Sequence, residues 1–293
     1  MNVSRLTEQP LAGMRVMVTR PAREKGTGPI CRDGPEGAAH KLDLSPFPAA
    51  GCQNDLAGQL RQLGAEVVAQ PAIRIEPPAD WRPVDAALAR LGEFDWLVFS
   101  SANGVRYLFD RLREKEIGPL SIKLAAIGPG TADELAQYGV RADLVPQQFR
   151  AEALAEALLR AAPGRRFLLA RASRGREVLA EQLRAAGAAV EQIVVYTSTD
   201  VERPDAAVAD LLRAGQIDWV TVTSSAIARS LAGLFGEDLR RAKLASISPL
   251  TSGVLGALGY PPAVEAAQYT MAGLVAAIAA TSTRRENRDC GSS

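Results

Sequence analysis

The chain contains an internal repeat, and this repeat constrains its fold more than any other feature of the sequence. Residues 95–106 align without a gap on residues 218–229, an offset of 123 (218 minus 95), and both segments begin with Asp-Trp. The same offset places residues 60–65 on residues 183–188. The chain of 293 residues is therefore a tandem duplication, and its length predicts about two domains.

The outer segments of the repeat locate an insertion. Residues 123–131 match residues 243–251 at an offset of 120, whereas residues 13–20 match residues 164–171 at an offset of 151. The first half is thus longer by 28 residues (151 minus 123), and these lie at about residues 22–55, where glycine and proline are concentrated. Such a composition is typical of a flexible loop without its own core.

Each half alternates short apolar runs with helix-like segments. An apolar run at residues 16–18 or 167–169 precedes a segment that ends at Gly64 or Gly187, glycines typical of helix C-termini. A β-rich run, the Asp-Trp strand and one further strand follow in both halves. We expect the two matched tryptophans to be buried between strand and helix. Strands that alternate with helices predict an α/β fold with parallel sheets covered on both faces.

The composition excludes several classes of function. With 34 Lys and Arg against 33 Asp and Glu and no basic block, the chain does not resemble a nucleic-acid binder. One histidine, His40, excludes a site with several histidine ligands, and three cysteines without pair spacing (Cys31, Cys52, Cys290) indicate a reducing compartment. Residues 271–280 are too short an apolar run for a membrane span. We expect a cytoplasmic protein with neither nucleic acid nor membrane as a partner.

Small and hydroxyl-bearing residues follow four of the predicted strands. Open parallel sheets bind ligands beyond the carboxyl ends of their strands, where helix N-termini present free N–H groups. Helix capping alone is the simpler interpretation of any one junction. No large apolar side chain blocks any of the four, however, so together they favour an anionic ligand. The candidate contacts are Ser100, Ser101, Asn103, Gly128, Thr131, Ser224 and Thr251.

Four arginines are matched across the repeat. Arg20 and Arg171 end the first predicted strand of each half, where a guanidinium can pair with a carboxylate or phosphate. A plain surface role remains the alternative for both. Arg106 and Arg229 lie one helical turn beyond their junctions, and we expect a structural or solvated role for them.

The remaining signals for chemistry are sparse. Gly128 and Gly130 form only part of a dinucleotide fingerprint, because position 133 is Asp133 rather than glycine. His40 lies in the insertion, and its spacing from the cysteines fits no zinc pattern. Proton transfer would therefore fall to Tyr, Lys, carboxylate or backbone groups. Tyr196 is the candidate, since it ends a predicted strand where the chain would cross between domains; structural packing is the alternative.

These segments, in this order and spacing, resemble the uroporphyrinogen-III synthase family. The resemblance spans about residues 14–280 apart from the insertion, and Ser248 departs from it by replacing a common glycine before proline. The segments that carry it are residues 16–21, 64–67, 95–105, 126–132, 195–197 and 247–251.

The resemblance implies two flavodoxin-like α/β domains, interleaved in sequence and joined by a two-stranded linker, with the substrate in the cleft. The chain would cross near residues 74–78 and 196–199. The implied boundaries are residues 1–74 plus 199–280 for the first domain, 77–196 for the second, and 281–293 for a disordered tail.

The resemblance also implies a lyase without a cofactor, active as a monomer in heme biosynthesis. The family removes water from hydroxymethylbilane, a linear tetrapyrrole with many carboxylates, inverts ring D and closes uroporphyrinogen III. Tyr196 would assist loss of the hydroxyl, while the serines and threonines of the junctions line the cleft. The implied partners are this substrate and, transiently, the upstream hydroxymethylbilane synthase.

Two other functions remain open at this point. One is a non-catalytic, two-lobed binding or regulatory module for an anionic small molecule, descended from the same fold. The other is a nucleotide- or flavin-dependent α/β enzyme. Tyr196 favours the synthase over the first, and the incomplete glycine fingerprint disfavours the second.

Overall fold

The computed structural model describes residues 9–20, 56–118, 120–161 and 165–289, with side chains up to residue 282. The predicted insertion, and with it His40, lies outside these ranges. None of the helices that they contain is both long and apolar enough to pass through a membrane.

The described residues form strands and helices that alternate along most of the chain. The strands are β1 (Arg15–Val18), β2 (Glu66–Ala69), β3 (Ile73–Glu76), β4 (Trp96–Phe99), β5 (Lys123–Ala126), β6 (Arg166–Ala172), β7 (Ala189–Asp200), β8 (Trp219–Val222), β9 (Lys243–Ser246) and β10 (Val264–Glu265). The helices are α1 (Leu56–Gln62), α2 (Arg82–Ala89), α3 (Ala102–Glu114), α4 (Pro129–Gln137), α5 (Ala151–Ala161), α6 (Val178–Ala185), α7 (Ala206–Arg213), α8 (Ser225–Phe235), α9 (Pro249–Ala257) and α10 (Met271–Asp289). Short 3-10 helices cover Leu91–Glu93 and Gly236–Arg241.

The strands assemble into two sheets. The first has the order β2, β1, β8, β9, β10, and each neighbouring pair is parallel. The second has the order β3, β7, β6, β4, β5, with parallel pairs from β7 to β5 and an isolated parallel bridge from Leu144 to Ala125 beyond β5. The prediction of an α/β fold with parallel sheets is confirmed.

The two sheets combine strands from both halves of the repeat. In the first sheet β1 and β2 come from the first half and β8, β9 and β10 from the second; in the second sheet the origins are reversed. When strands are named by their position in the repeat, the first sheet has the order 2-1-3-4-5, which is that of flavodoxin-like folds. The second sheet has the same order from β7 to the Leu144 bridge, with β3 added beside β7.

The chain forms two compact units. Among the described residues, 9–20, 56–74 and 199–289 belong to the first unit, and 75–198 belong to the second apart from the gaps named above. The chain therefore passes from one unit to the other within β3 and returns within β7.

The aspartate of each Asp-Trp segment holds two of these strands together. The Asp218 carboxylate accepts the backbone N–H of Arg15 at 2.8 Å, and the Asp218 N–H donates to the Arg15 carbonyl at 2.9 Å. In the second sheet, Asp95 makes the same two bonds to Arg166, both at 2.9 Å. Each bond pair fixes where a strand of one half meets a strand of the other.

Side chains of the central strands alternate between the two faces of the sheets. Along β4, Leu97 and Phe99 pack into one buried cluster with α3, whereas Trp96 and Val98 pack into another with α5 and α6. This alternation confirms that helices cover both faces of the second sheet. Trp96 and Trp219 are both buried, as expected. The Lys123 ammonium lies 5.4 Å from the ring centroid of Trp96, and the Lys243 ammonium lies 5.2 Å from that of Trp219.

Gly64 and Gly187 end their helices as expected. Both have positive φ, of 91° and 83°, and in both cases the next residue donates its N–H to a carbonyl five residues earlier. Such bonds complete the last turn of a helix. Gly64 is also crowded: a Cβ there would lie 3.0 Å from Gln9 Cβ and 3.1 Å from the backbone nitrogen of Ala12.

The structure differs from the disordered tail expected at residues 281–293. Helix α10 continues to Asp289, and residues 290–293 lie outside the described ranges. The hydroxyls of Thr281 and Ser282 donate to carbonyls four residues earlier, at 2.9 Å and 3.0 Å. These bonds satisfy the polar side chains within the helix, and the sequence alone did not indicate them.

We predict that Gly64→Ala destabilises the protein more than Gly215→Ala does. Both glycines belong to the first unit, end a helix and have positive φ, so alanine costs about 1 kcal/mol at either position. Only at Gly64 does the methyl group meet neighbouring atoms, which adds about 1–3 kcal/mol. Equilibrium unfolding in urea measures the difference; equal losses would contradict the close approach.

Candidate active site

The carboxyl ends of the strands in the second unit bring several of the predicted residues to one edge of the sheet. Ser100 and Ser101 follow β4, and Gly128 follows the neighbouring β5. Arg171 lies near the end of β6, and Tyr196 lies in the adjacent β7. Parallel pairing places all these strand ends at the same edge.

Two hydroxyl groups meet at this edge. Ser101 Oγ and Tyr196 Oη lie 3.1 Å apart, although 95 residues separate them in the chain. Ser101 is also the N-cap of α3, where its Oγ accepts the N–H of Gly104 at 3.0 Å. A serine hydroxyl has one hydrogen and two lone pairs. With one lone pair engaged by Gly104, the hydroxyl hydrogen of Ser101 can still be donated to Tyr196.

A register shift in β7 aims Tyr196 toward this site. Arg171 pairs with Val194 and the next residue, Ala172, pairs with Tyr196, so Val195 is an extra residue in the strand. Both Val195 and Tyr196 are therefore buried in the same cluster instead of pointing to opposite faces. Bulges of this kind are common beside active sites, where they redirect a side chain.

The Tyr196 ring is held on its other side by a second tyrosine. The rings of Tyr107 and Tyr196 stack with centroids 5.8 Å apart and planes inclined by 18°, and the Tyr107 hydroxyl donates to the Ile75 carbonyl at 3.3 Å. Burial raises the pKa of Tyr196, while the hydrogen bond from Ser101 acts in the opposite direction. The phenol is thus neutral at physiological pH and fixed in orientation.

The next junction is formed by glycine. Gly128 is the N-cap of α4 and offers no side chain, and its carbonyl accepts the N–H groups of Thr131 and Ala132, each at 3.1 Å. Thr131 is only 6% exposed, so it supports the junction from inside. A Cβ at Gly128 would lie 3.1 to 3.4 Å from three atoms of Phe149, which packs directly over this residue.

Asn103 belongs to a charged network that the sequence did not reveal. Arg106 donates to Asn103 Oδ1 at 3.3 Å and forms an ion pair with Glu134 at 3.1 Å. Both charged side chains are largely buried, and the pair joins α3 to α4. Arg106 therefore has the structural role expected for it. Its partner was not predicted, because Glu134 has no charged counterpart in the second half: Val254 stands there.

The two candidate arginines differ in their surroundings. Arg171 makes a short ion pair with Glu177 and donates to Gln192 Oε1 at 3.0 Å, while the Gln192 amide donates to Glu177 at 2.8 Å. A carboxylate of the protein thus already engages Nη1 of Arg171. Arg20 is exposed two residues after β1 in the first unit.

The first unit has equivalent junctions built mainly for capping. Ser224 caps α8 by accepting the N–H of Ile227 at 3.2 Å. Ser248 caps α9, and its hydroxyl lies 3.2 Å from that of Thr251, which is 2% exposed. Ser248 thus supplies the capping group that glycine cannot give at position 128. At the repeat offset of 123, Ile73 takes the place of Tyr196, so this unit has no equivalent hydroxyl pair.

Comparison with known proteins identifies the family. A family model described as uroporphyrinogen-III synthase HemD matches residues 54–276. The chain belongs to the uroporphyrinogen-III synthase family. A uroporphyrinogen-III synthase from Synechococcus elongatus is 32% identical over 285 residues, which cover 93% of this chain and 97% of that relative. One from Escherichia coli is 29% identical over 196 residues, covering 65% and 77%.

Solved structures of uroporphyrinogen III synthases share the fold. A mutant enzyme from Thermus thermophilus matches with a TM-score of 0.57 and 16% identity, covering 93% of this chain and 99% of that one. The Helicobacter pylori uroporphyrinogen-III synthetase matches with a TM-score of 0.53 and 18% identity, covering 74% and 92%. Within the ranges described above, no cluster of His, Cys, Asp or Glu of the kind that holds a metal ion is found.

We predict that Ser101→Ala raises the pKa of Tyr196 further, whereas Ser224→Ala leaves it unchanged. Each variant loses a helix cap, at about 1 kcal/mol of stability, but only Ser101 also bonds to the tyrosine. Alkaline absorbance titration measures the ionisation, with a Tyr196→Phe protein subtracted to isolate the one phenol. The same midpoint in both serine variants would contradict the bond.

Proposed function

We propose that this chain catalyses the reaction of its family, the cyclisation of hydroxymethylbilane to uroporphyrinogen III. The supporting observation is the hydroxyl pair of Ser101 and Tyr196 at the carboxyl edge of a parallel sheet. Such an edge is where α/β proteins place their ligands. A neutral, oriented phenol is suited to the first step, in which the substrate loses its hydroxyl group.

In this proposal Tyr196 acts as the proton donor. The phenol donates its proton to the substrate hydroxyl, which leaves as water while its bond to carbon breaks. The Ser101 hydroxyl donates to the phenolate oxygen that remains, and the proton lost from the ring carbon at closure restores the phenol. General acids of this kind accelerate reactions by about 10²- to 10⁴-fold.

The substrate carries many carboxylates, and a nearly neutral protein does not attract them through its net charge. The formal net charge is +1, so attraction must come from local groups. We propose that these are the N–H groups at the junctions together with scattered side chains. The positions are Arg20, Ser100, Ser101, Asn103, Gly128, Thr131, Arg171, Ser224 and Thr251.

Part of the acceleration would be conformational in origin. Ring closure at the substituted position requires the two ends of a flexible chain to be held together, and such positioning accounts for several kcal/mol in well-oriented reactions. We also propose that the protein acts as a cytoplasmic monomer and receives its substrate from hydroxymethylbilane synthase.

The proposal is tested by supplying hydroxymethylbilane, freshly made by hydroxymethylbilane synthase, and separating the porphyrin isomers after oxidation. Formation of the type III isomer above the spontaneous background supports the enzyme. If only the type I isomer forms although the protein binds hydroxymethylbilane, the protein is a binding module instead.

We predict that Tyr196→Phe lowers kcat for the type III isomer by about 10²-fold without loss of the fold. Phenylalanine keeps the stacked ring, and Ser101 keeps its bond to Gly104, so no buried polar group is left without a partner. Tyr107→Phe is the matched control, because it removes a buried hydroxyl of the same stack that donates to the Ile75 carbonyl. Equal rates in Tyr196→Phe and wild type would remove the proton-donor role.

We predict that the pH dependence of type III formation also reports on Tyr196 as proton donor. Because burial raises the pKa of Tyr196, the phenol keeps its proton up to pH 10. The ratio of wild-type to Tyr196→Phe activity is therefore expected to be constant from pH 6 to 9 and to fall only above pH 10. A ratio that declines between pH 7 and 9 would show that the pKa is lowered instead.

A further inference from the structure

Two aromatic side chains are exposed in the described part of the chain, one in each unit. Phe149 is 39% exposed and Tyr269 is 45% exposed; the other large hydrophobic residues with comparable exposure are aliphatic. Exposed aromatic rings are costly to leave in water, since their full burial is worth about 1.5–3 kcal/mol. A pair of them therefore calls for an explanation.

The two residues are equivalent in the repeat. Residues 144–154 fall on residues 264–274 at the offset of 120, which places Phe149 on Tyr269. The backbone around them is also the same. The residue after each ring donates its N–H to the residue before it, at 2.9 Å for Arg150 and 2.7 Å for Thr270. Both copies of the duplicated unit thus present a ring from the same turn.

The position of this turn relates it to the junctions. It follows the last strand position of each sheet, the Leu144 bridge in the second unit and β10 in the first. In the second unit the ring packs directly over Gly128, because a Cβ at that residue would lie 3.1 Å from Phe149 Cβ and 3.2 Å from its Cγ. Phe149 thus lies beside β5, one strand away from Ser101.

The other rings near this edge cannot offer a face to a ligand. Phe99 is fully buried, and Tyr107 and Tyr196 are each 7% exposed and stacked on one another. In the second unit, Ser100, Ser101 and Gly128 supply hydrogen-bonding groups but no large apolar side chain. A substrate made of pyrrole rings that carry carboxylates requires both kinds of contact.

We propose that Phe149, and Tyr269 at the equivalent place in the first unit, contact pyrrole rings of the bound substrate. The inference rests on the proposed function, since it takes hydroxymethylbilane as the ligand. Aromatic rings pair in offset or edge-to-face geometry. Phe149 would hold one pyrrole ring beside the Gly128 junction. The contact is made in the ground state and the transition state alike, so it sets KM.

The first test is the kinetics of Phe149→Ala and Tyr269→Ala with freshly made hydroxymethylbilane. Loss of a ring contact is expected to raise KM about 3- to 10-fold and to leave kcat within twofold. Phe149→Tyr should behave as wild type, because tyrosine is the residue found in the other copy. Ile117→Ala is the matched control: this residue is 38% exposed in the same unit but follows α3, away from the junctions, and its KM should not change.

The second test uses the close approach to Gly128. Gly128→Ala requires the Phe149 side chain to shift by a few tenths of an ångström and is expected to raise KM, by less than Phe149→Ala does. Because Phe149 Cβ is itself one of the atoms that the added methyl would meet, the double variant uses Phe149→Gly, which removes the ring and Cβ together. Gly128→Ala/Phe149→Gly should then have the KM of Phe149→Gly alone. Fully additive effects would show that the ring and the junction act separately, and would overturn the proposal for Phe149.

The outcomes separate this inference from the function on which it rests. A wild-type protein that gives only the type I isomer overturns the proposed function. A wild-type protein that forms the type III isomer, with KM in Phe149→Ala and Tyr269→Ala equal to that of Ile117→Ala, overturns the ring contacts alone. Unchanged KM with free substrate but slower transfer from hydroxymethylbilane synthase would assign these rings to a protein partner, and would also overturn the proposal.

Discussion

The pairing of strands from opposite halves of the repeat is the constraint on which the rest of the structure depends. Strand β1 lies between β2 and β8 at the centre of the first sheet, and β6 lies between β7 and β4 in the second. In each sheet the central strand pairs on one side with a strand of its own half and on the other side with a strand of the other half. The carboxylates of Asp218 and Asp95 accept the first N–H groups of the partner strands. The aspartate of each Asp-Trp segment therefore bonds to a strand of the other half, and the tryptophan packs in the core.

The same exchange creates the chemistry proposed for this protein. Ser101 belongs to the first half of the sequence and Tyr196 to the second, and their hydroxyls meet only because β4 and β7 both flank β6. The bulge in β7 then turns the phenol into the interior, where burial raises its pKa and Tyr107 fixes its ring. Strand register sets the position of the Tyr196 hydroxyl, burial raises its pKa, and the hydrogen bond with Ser101 orients it.

The duplication preserved the scaffold but not the functional groups. Ser101 and Ser224 cap equivalent helices with the same geometry, and Phe149 and Tyr269 occupy equivalent turns. In contrast, Ile73 replaces Tyr196 and Val254 replaces Glu134, so the hydroxyl pair and the buried ion pair of Arg106 occur in the second unit. Backbone geometry depends on many shared contacts, whereas a single side chain can change without loss of the fold.

The sequence by itself determined the parallel α/β architecture, the glycines at helix ends, the buried tryptophans and the serine caps, because each depends on local pattern or on the repeat. It also singled out Tyr196, but not the contact that explains it. Only the tertiary structure decided that Ser101 bonds to Tyr196, that Arg106 pairs with Glu134 and that Arg171 is engaged by Glu177. The members of these pairs are 95, 28 and 6 residues apart, and no pair lies within a single helix or strand. Strand register and helix packing therefore choose the partners, and the periodicity of a helix or strand does not indicate them.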